Sequence, residues 1–210
     1  MKKWWWGIWM LNFGLAQQAV AMPPFDFYVL SLSWSPEFCN VKPENRQCGR
    51  GYGFVLHGLW PQFTKGYPES CNSQFLEAPV LRSFGGLFPD DKLAIHEWKK
   101  HGTCSGLTAK DYLQLSQQLK NGFKSPVELN NLGQPLRVTR NELTQKIIAA
   151  NPKLKANAVQ FSCADGGRFL QEVYICYDNQ GGAATACSPE MMRRSQKSCA
   201  QENFLIRNIR

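Results

Sequence analysis

Apolar and polar residues change rhythm several times along this chain, and each rhythm predicts a different element. From Phe25 to Trp34 an apolar run turns to alternation at its end (Val29, Leu30, Leu32, Trp34), which predicts a strand. Tyr52 to His57 predicts a second strand, and the stretch from Asn40 to Gly49 between the two is rich in turn formers. Residues 61–90 carry many Pro, Gly and Ser and read as an irregular excursion. Asp90-Asp91 opens a helix that runs to about His101, with acids in the first turn where the helix dipole favours them and Gly102 where the helix can end. Thr108 begins another, with Asp111 in the capping-box position and Tyr112, Leu115 and Leu119 on one face. Thr139 and Glu142 form the capping box of a third, which reaches Ala150 and is stopped by Asn151-Pro152. Two strands follow, from Val159 to Cys163 and from Phe169 to Tyr177, with Asp165-Gly166-Gly167 as the hairpin turn. The mixture predicts an α+β fold, a central antiparallel sheet with helices packed on it.

The 210 residues are enough for one domain with a sizeable core, and 43% hydrophobic and 19% charged residues are globular proportions. The N-terminus has a different character. Lys2 and Lys3 precede an apolar stretch from Trp4 to about Ala16, and Ala19-Val20-Ala21 supplies the small residues of a cleavage site. The stretch is short for a membrane span of about 20 residues and is interrupted by Asn12 and ended by Gln17-Gln18. Residues 1–21 therefore read as a signal peptide and residues 22–210 as one catalytic domain. Export fits the eight cysteines, an even number, as in a framework of four disulfides. No two of them have CxxC spacing, which speaks against a zinc site. The formal net charge of +8 suits a polyanionic partner such as RNA. Periplasm and outside medium are equally compatible with this pattern.

The three histidines, His57, His96 and His101, fall in two short segments. One is Phe54-Val55-Leu56-His57-Gly58-Leu59-Trp60-Pro61-Gln62. The other is His96-Glu97-Trp98-Lys99-Lys100-His101-Gly102-Thr103-Cys104. Wound as a helix, His96, Glu97, Lys100 and His101 sit at roughly 0°, 100°, 40° and 140°, on one arc. Trp98 points away and can anchor the back of the helix. Two imidazoles, a carboxylate and an ammonium thus share one wall, which suits a phosphodiester. A zinc hydrolase would carry HExxH, whereas HEWKKH is one residue longer, which spoils chelation, and Lys100 would repel the metal. No metal and no cofactor are expected. A merely solvated charged face does not account for His57, at the end of an apolar strand beside Gly58, Trp60 and Pro61.

The two segments resemble the two active-site segments of the ribonuclease T2 family, HGLWP and HEWxKHGTC, both complete here. The likeness extends to Trp34-Ser35-Pro36 with Cys39 behind it and to the late strands with Cys163 and Cys176, so it covers most of residues 25–200. It implies an endoribonuclease that cleaves single-stranded RNA by transphosphorylation, giving 2′,3′-cyclic phosphate ends that a later hydrolysis can open. It implies His101 as base and His57 as acid, two labels that sequence leaves exchangeable. Lys100 and Glu97 would steady the pentacoordinate phosphorus, His96 would hold the phosphate, and Trp60 would pack beside His57 and the scissile group. The pairs Cys71–Cys104, Cys163–Cys199 and Cys176–Cys187 are implied as disulfides, leaving Cys39 and Cys48 to close the first loop.

DNA, which lacks the 2′-OH, should resist cleavage, and the chemistry favours mildly acidic conditions. Leu93 and Ala94 stand where many plant relatives have aromatics, so a stacking platform of that kind is not expected. Candidate stacking residues include Phe84, Phe88 and Tyr67, and broad base specificity is the expectation. A monomer is the default. The rival reading is a non-catalytic RNA-binding or defence protein on the same fold.

Overall fold

The structure is a computed structural model and describes residues 25–209; the signal-peptide segment lies outside them. In chain order the elements are β1 (Phe27–Trp34), α1 (Ser35–Val41), β2 (Phe54–Gln62), α2 (Ala78–Ser83), α3 (Asp91–Lys100) and α4 (Ala109–Gly122). They continue with β3 (Leu136–Thr139), α5 (Arg140–Ala150), β4 (Val159–Ala164), β5 (Phe169–Asp178), α6 (Pro189–Ser198) and β6 (Asn203–Ile206). The sheet order is β2-β1-β5-β6-β3, with β4 also paired to β5. Every pairing is antiparallel except β5–β6, which is parallel and brief. The sheet is thus antiparallel through its centre and mixed at one junction, because α6 carries the chain across before β6 returns.

The helix ends follow from local chemistry. Asp90 caps α3, its carboxylate accepting the Lys92 N–H at 2.6 Å. Thr139 and Glu142 form the full capping box of α5. Trp98 on α3 is fully buried, and its indole N–H donates to the Gln74 carbonyl at 3.0 Å. Tyr112 on α4 is equally buried and donates to the Leu59 carbonyl at 2.8 Å, tying that helix to β2.

β1 lies between β2 and β5 and is covered on both faces. Tyr28, Leu30, Leu32 and Trp34 point into the main core, and Phe27 and Val29 into a smaller cluster with Cys176 and Cys187. Ser31 and Ser33 continue the row of Phe27 and Val29. In register with them across the sheet are Gly58 and Tyr174 beside Ser31, and Glu172 beside Ser33. A polar patch therefore opens on one face of an otherwise apolar sheet.

β2 does not stop at His57 as the sequence suggested but runs on to Gln62. Its Pro61 is tolerated because β2 is an edge strand, where a missing N–H costs no ladder bond. Between Ser31, opposite Gly58, and Leu32, opposite Leu56, the register shifts, and His57 is the extra residue of the bulge. A bulge breaks the strict in-out alternation and re-aims a side chain.

Four disulfides hold the long connections: Cys39–Cys48, Cys71–Cys104, Cys163–Cys199 and Cys176–Cys187. These are the pairs named above. Cys71–Cys104 pins the excursion after β2 to the end of α3, where the Ser70 N–H also donates to the Lys100 carbonyl at 2.8 Å.

Candidate active site

His57, Trp60, His96, Glu97, Lys100 and His101 all line one cavity of about 340 Å³. Two come from the bulged edge strand and four from the end of α3, so segments forty residues apart in sequence meet in one wall. His101 has left the helix and serves as its C-cap, which turns its ring from the helix face toward Trp60.

Trp60 is the hub. Its ring centroid lies 5.1 Å from that of His57 and 5.3 Å from that of His101. The two imidazoles therefore both lie against a single indole, and the sum of those distances is the most that can separate their centroids. The indole N–H donates to Glu97 Oε2 at 2.6 Å. Glu97 is buried, and its other oxygen is 3.7 Å from His57 Nε2 and 4.0 Å from His96 Nε2.

The glycines of the two segments have a steric reason. A Cβ at Gly58 would stand 2.1 Å from Glu97 Oε2 and 2.3 Å from Trp60 Nε1. A Cβ at Gly102 would stand 2.3 Å from the Trp98 ring. Gly102 does more than end a helix; it lets the chain pass against the indole that anchors α3.

One functional residue escaped the sequence reading. Glu172, on β5, places Oε1 2.5 Å from His57 Nδ1, reaching it across the small side chains of β1. Ser33 donates to the same oxygen at 2.9 Å, and Tyr174 donates to Oε2 at 2.6 Å. The signal was present as a single carboxylate in the apolar strand Phe-Leu-Gln-Glu-Val-Tyr-Ile-Cys.

The two catalytic candidates have opposite electrostatic settings. For His57, burial disfavours the imidazolium, but the carboxylates of Glu172 and Glu97 outweigh it and, against Lys100, hold its pKa above the ordinary 6.5. For His101, burial first, then the charges of Lys100, His57 and His96, push the pKa down to about 3. His101 is buried, and its Nδ1 has no hydrogen-bond partner among the described residues. Burial raises the pKa of Glu97, although its cationic neighbours and the Trp60 bond oppose this. Glu172 goes the other way: burial is overcome by the bonds from His57, Tyr174 and Ser33, and its pKa is lowered.

The rim is set by Lys100 and Tyr67. The Lys100 ammonium lies 3.8 Å from Glu69 and 5.8 Å from the Tyr67 ring centroid. Tyr67 is exposed, and its ring is 5.8 Å from that of His101. Of the three stacking candidates only Tyr67 faces this cavity. Phe88 is buried and Phe84 packs against the core.

Comparison with known proteins adds a family. The model of the ribonuclease T2 family matches residues 25–187. A ribonuclease of Aeromonas hydrophila is 42% identical over 200 residues, covering 89% of this chain and 87% of its own. A probable ribonuclease of Haemophilus influenzae is 33% identical over 190 residues, covering 81% of this chain and 64% of its own. Among solved structures, ribonuclease MC1 from bitter gourd seeds superposes with a TM-score of 0.66 at 20% identity, over 86% of this chain and 99% of that one. The RNase-related protein from Calystegia sepium gives a TM-score of 0.66 at 19% identity, over 87% and 97%. At these identities the two structures establish the shared fold.

Proposed function

The chain belongs to the ribonuclease T2 family, and on that premise we propose that it is an endoribonuclease that cuts single-stranded RNA without a metal, with His101 as base and His57 as acid. The carrying observation is two imidazoles placed around one indole, His57 beside two carboxylates that favour its charged form and His101 buried without such a partner. A neutral imidazole can take a proton and a charged one can give it, so the two settings suit the two halves of the reaction. These surroundings favour His101 as base and His57 as acid, the assignment that the family resemblance implies.

The reaction then balances as follows. His101 takes the proton of the 2′-OH, and the 2′-oxygen bonds to phosphorus. The bond from phosphorus to the 5′-oxygen breaks, and the proton of His57 goes to that departing oxygen. The products are a 2′,3′-cyclic phosphate and a 5′-hydroxyl. Substrate phosphate beside His101 raises its basicity by adding negative charge near Lys100, whose ammonium adds to burial in depressing it. Lys100 and His96 stabilise the charge on the phosphorane oxygens. Glu97 holds Trp60 in place through its second oxygen and supports the charge on His57. Tyr67 offers a stacking face at the rim.

Four disulfides in a chain of this size fit an oxidising compartment. Together with residues 1–21 as a signal peptide, this supports a mature domain of residues 22–210 in the periplasm or outside the cell, with a monomer as the default. A protein that only bound RNA would gain nothing from opposed protonation states.

The test is digestion of a defined single-stranded RNA in excess chelator, with analysis of the new termini. The expected result is full activity, cyclic phosphate and 5′-hydroxyl ends, and an untouched matched DNA. Activity lost to the chelator, or 5′-phosphate ends, would overturn the reading.

A further inference from the structure

Two further grooves adjoin the site, the first sharing His57 with the active-site cavity and the second sharing a wall with the first. The first, about 560 Å³, is lined by His57 and Glu172 and also by Pro89, Asp90 and Lys92. The second, about 590 Å³, shares Val55, Leu56, Pro89, Asp90 and Lys92 with the first and continues to Arg46, Arg50, Tyr52 and Lys120. Those five shared residues form a common wall between the His57 groove and the basic cluster.

The second groove carries four cations against two carboxylates. Arg46, Arg50 and Lys92 are exposed and Lys120 is half-buried. Among the described residues none of the four makes an ion pair within 4.0 Å. Of the acids, Asp90 is already committed to capping α3. In the first groove Glu37 is paired with Arg207, and Glu172 with His57. The anionic groups along the path are largely engaged, and the cations are not.

Two features make this a built surface. Arg46 lies inside the loop closed by Cys39–Cys48, and Arg50 follows two residues after it, so the disulfide limits what must be ordered on binding. Tyr52 stands exposed at the groove, a flat ring among cations, which is the pairing of stacking surface and charge that single strands favour.

Chemistry fixes which strand would lie here. An acid that protonates the 5′-oxygen stands where the leaving strand begins. We propose that the groove from His57 past Lys92 to Arg46, Arg50 and Lys120 binds the RNA strand on the 3′ side of the scissile phosphate, gripping phosphates by charge and stacking one base on Tyr52. The inference rests on the function proposed above. Its consequence is that RNA extended on the 3′ side is cut better than the same linkage in a short substrate.

The test uses oligodeoxynucleotides with a single ribonucleotide, so that only one linkage can be cut. One substrate carries one nucleotide on each side, a second is extended only on the 5′ side, and a third only on the 3′ side by the same length. The expected result is that the 3′ extension raises kcat/KM at least about tenfold at low salt, well beyond the 5′ extension. With about three phosphates held, the logarithm of that gain should fall against the logarithm of salt with a slope of about −2. Replacing Arg46, Arg50, Lys92 and Lys120 together by Gln should remove the gain and leave the shortest substrate unaffected, a rate that also reports correct folding. Tyr52→Ala alone should lower the gain about fivefold or more. Equal gains from both extensions, or a 3′ gain that survives the fourfold variant, would overturn the track alone. Failure of the wild type to cut any of the three would overturn the ribonuclease reading and the track with it.

Discussion

Nδ1 of His57 lies 2.5 Å from Oε1 of Glu172, a residue 115 positions further along the chain on a strand that does not touch its own. The contact exists because β1, which separates the two strands, carries Ser31 and Ser33 on that face and leaves room above them. It fixes the ring's orientation and leaves Nε2 on the side of Glu97. Buried carboxylates that hold an imidazole in one tautomer and favour its charged form are a means of tuning an acid.

Glu172→Gln should therefore act through His57. The carboxylates raise the His57 pKa against burial, so in the wild type the alkaline limb of kcat/KM lies above the ordinary histidine value. Without Glu172, only Glu97 opposes burial and Lys100, and the limb should move to lower pH while kcat falls more than KM changes. Glu172→Asp should restore part of both. A pH profile unchanged in Glu172→Gln would show that the contact is structural only.

Stability should respond to His101 in the opposite sense. Its folded pKa of about 3 is below the unfolded value of 6.5. The native state therefore keeps its full contribution from this group above about pH 6.5 and loses it as pH falls toward and through 3. His101→Leu should abolish activity yet resist acid unfolding better than the wild type, read as the change in denaturation midpoint between pH 7 and pH 4. An equal loss in both proteins would mean that His101 is not held neutral by the fold.

Gly58→Ala should damage site and fold together. The added methyl must displace either Glu97 or the Trp60 indole, whose mutual bond closes the space. A stability loss of roughly 1–3 kcal/mol is expected from such overpacking, with activity reduced at least tenfold. Thermal unfolding and initial rates check this, and wild-type activity in the variant would contradict the role given to that bond.

Removing Cys71–Cys104 by a double Ala substitution should loosen the rim. The bridge holds Glu69 and Tyr67 beside Lys100. A loss of about 2–4 kcal/mol is expected from a bridge of this kind, and KM should rise more than kcat falls. An unchanged KM would place the rim outside the substrate's reach.

Sequence pattern carried the helices best, because their signals are local. Asp90, Thr108 and Thr139 announce three helix starts through capping chemistry. The two histidine segments are contiguous and could be read directly. Besides the short elements α1, α2 and β3, which carry too few residues for a clear pattern, three things were hidden for physical reasons. β2 was cut short because Pro61 and Gly58 look like strand breakers, and only the sheet order shows that an edge position and a bulge accommodate them. α6 and β6 escaped because α6 is strongly polar, with only Ser195 buried, and β6 is four residues long. Glu172 escaped because its partner is distant in sequence, and nothing along a single chain states which strands will be neighbours.

The central claim is that His57 donates a proton to the departing 5′-oxygen. The most direct measurement compares His57→Ala and His101→Ala on an ordinary linkage and on one whose 5′-oxygen is replaced by sulfur, a leaving group that needs no acid. His57→Ala should lose at least about a hundredfold on the ordinary linkage and recover most of it on the sulfur linkage, while His101→Ala stays impaired on both. Recovery in His101→Ala and not in His57→Ala would reverse the two roles and contradict the account.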